Sequence, residues 1–198
     1  MKRHLFLCGP AFSGRSRLIR SRLGTRLLSA GGFCTELSTG EDGSVLGCVM
    51  MPAAMAGGAE GFEKERFLDL RSFPPGHDSE VFRGLGVRLL EEASWYPYAV
   101  LDEIGGIDLI IPQFRRALDE LLRSELPILG AVKSMEASEQ MRQMLGPGER
   151  FTAFSEQLFA FLEEDPNTEL LMITNDAEEE AGGAVEAWID EYADLPGT

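Results

Sequence analysis

The hydrophobic positions of this chain fall into short continuous runs, separated by segments whose apolar residues recur at helical spacing. The runs predict buried strands and the segments predict amphipathic helices. We predict strands over residues 3–8, 33–38, 44–50, 66–70, 98–102, 128–132 and 170–174. We predict helices over residues 14–29, 79–94, 112–124, 138–145, 152–162 and 178–192. Such alternation is typical of an α/β three-layer sandwich, in which helices cover both faces of a mainly parallel sheet.

Glycine-rich stretches interrupt this pattern. Residues 30–32 are expected to break the first helix, and residues 51–61, rich in Ala, Gly and Met, are expected to be irregular. The turn-rich residues 39–43 link two predicted strands and therefore indicate a hairpin, inserted in the N-terminal half of the fold. Because the other links are short, we predict one domain over residues 1–198.

The composition is that of an ordinary globular chain, with 44% hydrophobic and 26% charged residues. It has no run of about 18 apolar residues, so we expect no membrane span. Cys8, Cys34 and Cys48 are odd in number and lack C-x-x-C spacing, which is typical of free thiols in a reducing compartment. We therefore expect a cytoplasmic protein.

Charge is distributed unevenly along a chain whose net charge is −15. The segment through Arg26 carries seven basic and no acidic residues, whereas the remainder carries 11 basic and 33 acidic residues. A positive element at one end of an acidic body suits a small polyanion such as a nucleoside triphosphate. It argues against nucleic acid, which requires an extended basic face.

One segment has the spacing of a phosphate-binding loop, Gly9-Pro-Ala-Phe-Ser-Gly14-Arg15-Ser16, between a predicted strand and a basic helix. Its glycines let the backbone wrap so that N–H groups point inward, with the helix N-terminus behind them. Ser16 stands where Mg²⁺ is bound, but Arg15 replaces the usual Lys. The predicted phosphate-binding residues are Gly9, Pro10, Ala11, Phe12, Ser13, Gly14, Arg15, Ser16 and Arg17.

A second motif, Asp102-Glu103-Ile-Gly105, follows the apolar strand 98–102. A carboxylate there lies at the carboxyl edge of the sheet, where open α/β folds bind ligands. If that strand lies beside the first strand, Asp102 faces Ser16 across a Mg²⁺ ion. Glu103 is then placed to orient the attacking water or accept its proton. Alone, an Asp-Glu pair is also common at a surface strand end; together with the loop, it favours a nucleotide site.

With both motifs in place, the chain resembles the small nucleoside-triphosphatases of the thermophile and cancer-related NTPase type. The resemblance spans nearly the whole chain and rests on the loop, residues 32–36, 102–109 and 126–130, and Ile173-Thr-Asn175. It implies a P-loop α/β sandwich that hydrolyses ATP or GTP slowly with Mg²⁺. Carried over by position, Ser16 and Asp102 hold the metal and Glu103 is the catalytic base. Thr35 and Glu36 match the pattern without an assigned role.

Three residues depart from the family's pattern: Arg15 replaces Lys, Gly106 stands where a basic residue is frequent, and Lys133 stands where His is frequent. Arg binds phosphate through a wide planar fork and needs more room than Lys. Either Arg15 substitutes in part as a catalytic cation, which predicts weak turnover, or it fills the loop and the protein only binds nucleotide.

Two other function classes stay open at this point. The first is a catalytically inactive nucleotide-binding or regulatory module, motivated by Arg15 and Gly106. The second is a small-molecule kinase, which would share the loop but needs an arginine-rich lid, for which Arg142 and Arg150 are too few. Phosphate release from ATP or GTP separates a hydrolase from a binding module.

Overall fold

The apolar runs of the sequence form the strands of one eight-stranded sheet. The computed structural model describes residues 1–10, 13–61, 64–145, 151–173 and 178–194. The strands are β1 (His4–Gly9), β2 (Ala30–Thr39), β3 (Val45–Pro52), β4 (Glu65–Asp69), β5 (Gly76–His77), β6 (Tyr98–Ile104), β7 (Ile128–Lys133) and β8 (Thr168–Met172). Their order across the sheet is β5-β4-β3-β2-β6-β7-β1-β8.

The sheet is parallel in its larger part and antiparallel at one edge. β2, β6, β7, β1 and β8 run parallel, and β3, β4 and β5 continue the sheet beyond β2 in antiparallel pairing. The predicted hairpin is therefore confirmed as β2 and β3, and it extends the sheet rather than standing apart from it. All carboxyl ends of the parallel strands meet at one edge, which is where both sequence motifs lie.

Helices cover both faces of this sheet, as the sequence predicts. They are α1 (Arg15–Leu23), α2 (Ala53–Ala56), α3 (Ser79–Val81), α4 (Val87–Glu92), α5 (Pro112–Leu122), α6 (Met135–Leu145), α7 (Thr152–Glu164) and α8 (Glu178–Tyr192). Alternate residues of each buried strand feed two separate cores, since side chains of a strand point to opposite faces. In β1, Leu5 and Leu7 join the core under α1 and α8, and Phe6 and Cys8 join the core under α4, α5 and α7. The three-layer α/β architecture is confirmed.

The expected break at residues 30–32 is confirmed, since the helical segment ends at Ser29, and these residues then begin β2. Gly32 has φ 80°, and a Cβ there would lie 2.2 Å from the Val100 carbonyl oxygen of β6. A Cβ on Gly31 would lie 2.7 Å from the Cα of Ala93. The glycines thus also allow β2 to approach its neighbours closely.

Two long predicted helices are shorter or interrupted in the structure. α1 ends at Leu23 and is followed by a 3-10 turn over Gly24–Ser29. The helix predicted over residues 79–94 contains a π-turn at Phe82–Gly86, with α3 before it and α4 after it. At Gly86 a Cβ would lie 2.9 Å from the Phe114 ring, so the widened turn brings the backbone against α5.

Two further boundaries differ from the sequence expectation. Residues 51 and 52 complete β3 and are followed by α2, so the segment expected to be irregular is partly ordered. β8 begins at Thr168 and ends at Met172, and Thr174, the predicted end of that strand, lies outside the described residues. Among the described residues, no helix is long and apolar enough to cross a membrane.

His4, at the start of β1, gives the fold a pH-dependent stability. Its side chain is buried, and burial lowers its pKa below the usual 6.5, against a smaller opposite effect of Asp165. The unfolded chain therefore binds the proton more readily, so stability falls as the pH drops below about 6.5, by at most about 1.4 kcal/mol per pH unit. We expect His4→Leu to flatten this slope between pH 7.5 and 5.5 in urea unfolding. An equal slope in His4→Leu and the wild type would contradict the assignment.

Candidate functional site

The predicted phosphate-binding loop connects the end of β1 to the start of α1. β1 ends at Gly9, and Gly14 turns the chain with φ 83° before Arg15 begins the helix. The Leu18 N–H donates to the Gly14 carbonyl at 2.8 Å, which is the first helical hydrogen bond. The start of α1 therefore faces the loop, as an anion site requires. Ala11 and Phe12, also predicted to bind phosphate, lie outside the described residues.

Ser16 and Asp102, the two predicted metal ligands, are in direct contact. The Ser16 hydroxyl donates to Asp102 Oδ1 at 2.5 Å. The condition under which the two were expected to meet, that β6 lie beside β1, is not fulfilled, because β7 lies between them. α1 contacts β7, and Ser16 in its first turn still reaches the carboxylate at the end of β6. The loop and the second motif are thus joined at the carboxyl edge of the sheet.

Asp102 is a buried carboxylate in an environment that disfavours its charge. Burial, with the neighbouring Glu103, raises its pKa to about 6, although hydrogen bonds from Ser16 and Thr35 and the charge of Arg20 act in the opposite direction. Thr35 donates its backbone N–H to Asp102 Oδ2 at 3.1 Å. The nearby cations Arg15 and Lys133 form their salt bridges with Glu103 and not with Asp102. A cation bound beside it would offset this burial.

The donor set at this point suits magnesium. Mg²⁺ prefers hard oxygen ligands and is usually held by one or two carboxylates together with substrate phosphates and water. A serine hydroxyl and a carboxylate oxygen 2.5 Å apart supply two such donors. In the part of the chain that the structure describes, no group of three or more His, Cys, Asp or Glu side chains could form a dedicated metal cage. The residues present therefore fit a metal that arrives with phosphate.

Glu103 lies near the end of β6, where the pairing with β7 shifts between Leu101 and Ile104, and its backbone is strained. Its φ is 63°, the one positive value among the described non-glycine residues. Such strain clusters at functional sites. Its Oε1 accepts a hydrogen bond from Arg15 Nη2 at 2.8 Å, and its Oε2 lies 3.8 Å from Lys133 Nζ. The carboxylate is thus held between two cations, with about a quarter of its side-chain surface (24%) exposed.

The Arg15 side chain points into the protein and forms hydrogen bonds to residues near the ends of three strands. Its side chain is buried, with Nη1 donating to the Gly9 carbonyl of β1 and, at 3.0 Å, to the Val132 carbonyl of β7. Nη2 pairs with Glu103 at the end of β6. Nε is buried and has no hydrogen-bond partner among the described residues. In this arrangement the hydrogen bonds of the guanidinium go to the ends of β1 and β7 and to the Glu103 carboxylate.

The Lys133 side chain packs against the backbone at Gly106. Lys133 Nζ donates to the backbone oxygen of Glu103. A Cβ on Gly106 would lie 3.2 Å from Lys133 Cδ and 3.1 Å from Met141 Sδ. The Lys133 stem therefore occupies the space that a side chain at position 106 would need. The two positions that depart from the family's pattern are linked, and together they place a cation beside Glu103.

Two residues that the sequence reasoning left without a role hold this site in place. Thr35 positions Asp102 through its backbone N–H. Asp108 is buried and accepts the N–H groups of Gly105 at 3.1 Å and Gly106 at 2.7 Å, while burial raises its pKa. The available signals were a polar residue where the fully buried part of β2 ends, and an Asp two residues after Gly105-Gly106. Neither identifies its partner without the fold.

A cleft of about 670 Å³ opens between the loop and the edge strands. Ser13, Gly14, Arg15, Ser16 and Arg17 line one side of it, together with both carboxylates of the second motif and Lys133. Gly9 and Pro10 lie at the root of the loop and do not line it. A second groove, of about 480 Å³, lies between α5 and α7 and contains none of the predicted site residues. The sequence-predicted residues therefore converge on one cleft.

The chain is similar to known proteins in sequence and in fold. The sequence profile of a family described as NTPase matches residues 4–155. The crystal structure of THEP1 from the hyperthermophile Aquifex aeolicus superposes with a TM-score of 0.62, covering 92% of this chain and 96% of that chain at 16% identity. At such identity the likeness shows the fold alone. No curated protein matches the chain.

Proposed function

The chain belongs to the NTPase family, and from that premise we propose that it binds ATP or GTP with Mg²⁺ and hydrolyses the γ-phosphate slowly. The observation that carries the proposal is the contact between the Ser16 hydroxyl and Asp102. It joins the loop that would hold the phosphates to the strand end that would hold the metal. Both lie at the carboxyl edge of the parallel strands, which supports the proposal.

In this proposal the loop from Gly9 to Arg17 binds the β- and γ-phosphates through backbone N–H groups and the start of α1. Ser16 and Asp102 would hold Mg²⁺, which supplies neutralising charge to the phosphates when bound. Thr35 fixes the second oxygen of Asp102, so that the carboxylate keeps one orientation. Burial keeps this carboxylate from ion pairs that would compete with a metal.

Glu103 would orient the attacking water and accept its proton. Its backbone has a positive φ near the end of β6, where the pairing with β7 is irregular, and its side chain contacts the loop residue Arg15. Arg15 already donates a hydrogen bond to one oxygen of the Glu103 carboxylate. To act as the base, Glu103 must therefore release this hydrogen bond or accept the proton on its other oxygen. This competition supports slow turnover. Lys133, on β7 between β6 and β1, supplies a second positive charge beside the same carboxylate.

A second candidate function is a nucleotide-binding or regulatory module without catalysis. The observation that favours it is the same Arg15–Glu103 ion pair at 2.8 Å, in which the loop cation and the base satisfy each other. Arg15 is almost fully buried, so its rearrangement on nucleotide binding would break contacts to two carbonyls as well. Binding without phosphate release would identify this function.

Ser16→Ala tests the carrying observation. We expect it to weaken Mg²⁺-dependent binding of ATP or GTP at least about tenfold, because a direct metal ligand is lost. Isothermal titration with and without Mg²⁺ measures this directly. The control is Ser21→Ala on the same helix, whose exposed side chain bonds only to the Leu18 carbonyl. Unchanged magnesium dependence in Ser16→Ala would contradict the proposed site.

A further inference from the structure

The cleft beside the carboxylates has two chemically different ends. One end is lined by the loop, the two carboxylates and Lys133. The opposite end is walled mainly by apolar side chains. These include Leu37, Phe67, Leu70, Phe82, Met141 and Met144. A triphosphate needs polar partners and fills only the first end, so it leaves the apolar end without a ligand.

The order of the strands in the sheet determines where the polar end and the apolar end of the cleft lie. The loop follows β1 and the carboxylates lie near the end of β6, whereas Leu37 is on β2 and Phe67 is on β4. Across the sheet, β6 lies between β1 on one side and β2, β3 and β4 on the other. The carboxylates therefore separate the loop from the wall of the apolar end. A molecule bound against that wall approaches Glu103 from the side opposite the loop.

This placement matters because phosphoryl transfer proceeds by in-line displacement at phosphorus. The attacking and leaving oxygens lie on opposite sides of the γ-phosphorus. On the proposed function, the loop holds the leaving diphosphate, so the nucleophile arrives from the other side, over Glu103 and from the apolar end. The nucleobase is attached through that diphosphate and belongs on the loop's side. The apolar end is thus the nucleophile's side of the site.

We propose that this end of the cleft binds a second substrate, a small molecule with an apolar body and a hydroxyl group, which accepts the γ-phosphoryl group. The inference rests on the proposed function. The acceptor oxygen forms a bond to the γ-phosphorus while the bond from that phosphorus to the β–γ bridging oxygen breaks. The hydroxyl proton passes to Glu103, and the products are a nucleoside diphosphate and the phosphorylated acceptor.

The size and exposure of the wall support an apolar ligand. About 670 Å³ is within the range of pockets that hold small molecules. Leu37 and Met144 are large apolar side chains that remain 40% and 36% exposed at this cleft. A bound apolar body would cover them and gain the free energy of removing their surface from water. The sequence disfavours a kinase because it lacks an arginine-rich lid; an apolar acceptor that excludes water itself needs less of one.

Two primary alcohols, 1-octanol and 2-phenylethanol, serve as probes of the full chain. Binding is measured by titration calorimetry, first without nucleotide and then with Mg²⁺ and a non-hydrolysable ATP analogue. Alkyl phosphate and inorganic phosphate are then quantified by mass spectrometry and a phosphate assay with MgATP. We expect saturable binding of at least one alcohol in both states, and the corresponding alkyl phosphate with nucleotide present.

A pair of hairpin variants provides the matched control. Leu37→Gln changes the wall, and Val45→Gln changes a side chain of equal exposure on the neighbouring strand, outside the cleft. We expect alcohol binding to weaken at least fivefold in Leu37→Gln only. Binding of neither alcohol, equal binding by both variants, competition between alcohol and nucleotide, or bound alcohol without alkyl phosphate would each overturn the proposal. Phosphate release without alcohol shows separately whether the proposed hydrolase function holds.

Discussion

Glu103→Gln is expected to lower the rate of phosphate release from MgATP and MgGTP by about 10²–10⁴-fold, the range for loss of a positioned general base. Gln keeps the shape and can still accept the Arg15 hydrogen bond that now runs at 2.8 Å to Oε1. The strand end and the loop therefore stay in place, and we expect nucleotide affinity to change little. Single-turnover phosphate release together with a separate binding titration measures both quantities.

The control for this experiment is Glu120→Gln, an exposed carboxylate on α5 outside the cleft. It removes the same charge from the chain and should leave both rate and affinity as in the wild type. Wild-type activity in Glu103→Gln would remove Glu103 from the proton path. A parallel loss of nucleotide binding would instead give the residue a structural role.

Arg15→Lys is expected to raise the turnover number about tenfold or more while lowering stability by about 1–3 kcal/mol. Lys cannot bond the Gly9 carbonyl, the Val132 carbonyl and Glu103 together, so it frees the base and can reach the phosphates as the usual loop cation. The stability falls because buried carbonyl oxygens lose their donor. Phosphate release and urea unfolding on the same preparation measure both changes.

Arg22→Lys on the same helix is the matched control, because Arg22 is exposed and pairs with Glu186. It should leave the turnover number unchanged and alter the free energy of unfolding by no more than about 0.5 kcal/mol. A lower turnover in Arg15→Lys would reverse the assignment, and would mean that the guanidinium itself contacts the reacting phosphate.

The fold could be predicted from the sequence where local patterns and global packing agree. Continuous apolar runs such as β1 and β7, each buried on both faces, identify parallel strands because no polar face is required. The loop and the Asp102–Glu103 motif were predictable because their chemistry depends on spacing at strand ends. The one-domain prediction and the roles assigned to these residues stay predictions.

Other features depend on contacts that the sequence does not encode locally. Gly31 and Gly32 were expected to end the first helix, and they do, but only the backbone of β6 and Ala93, distant in sequence, explains why glycine is needed in the strand that follows. The insertion of β7 between β6 and β1 likewise follows from topology. The direction of Arg15 was left open, since it depends on carbonyls of two separate strands.

We propose that the loop and the carboxylates near the end of β6 form one nucleoside-triphosphate hydrolysis site. The most direct measurement is phosphate release by the wild-type chain from ATP and GTP, with Mg²⁺ and with a chelator. We expect slow, magnesium-dependent release of one phosphate for each diphosphate formed. Tight nucleotide binding with no phosphate release in either condition would contradict it, and would leave the Arg15–Glu103 ion pair as the feature that holds the site inactive.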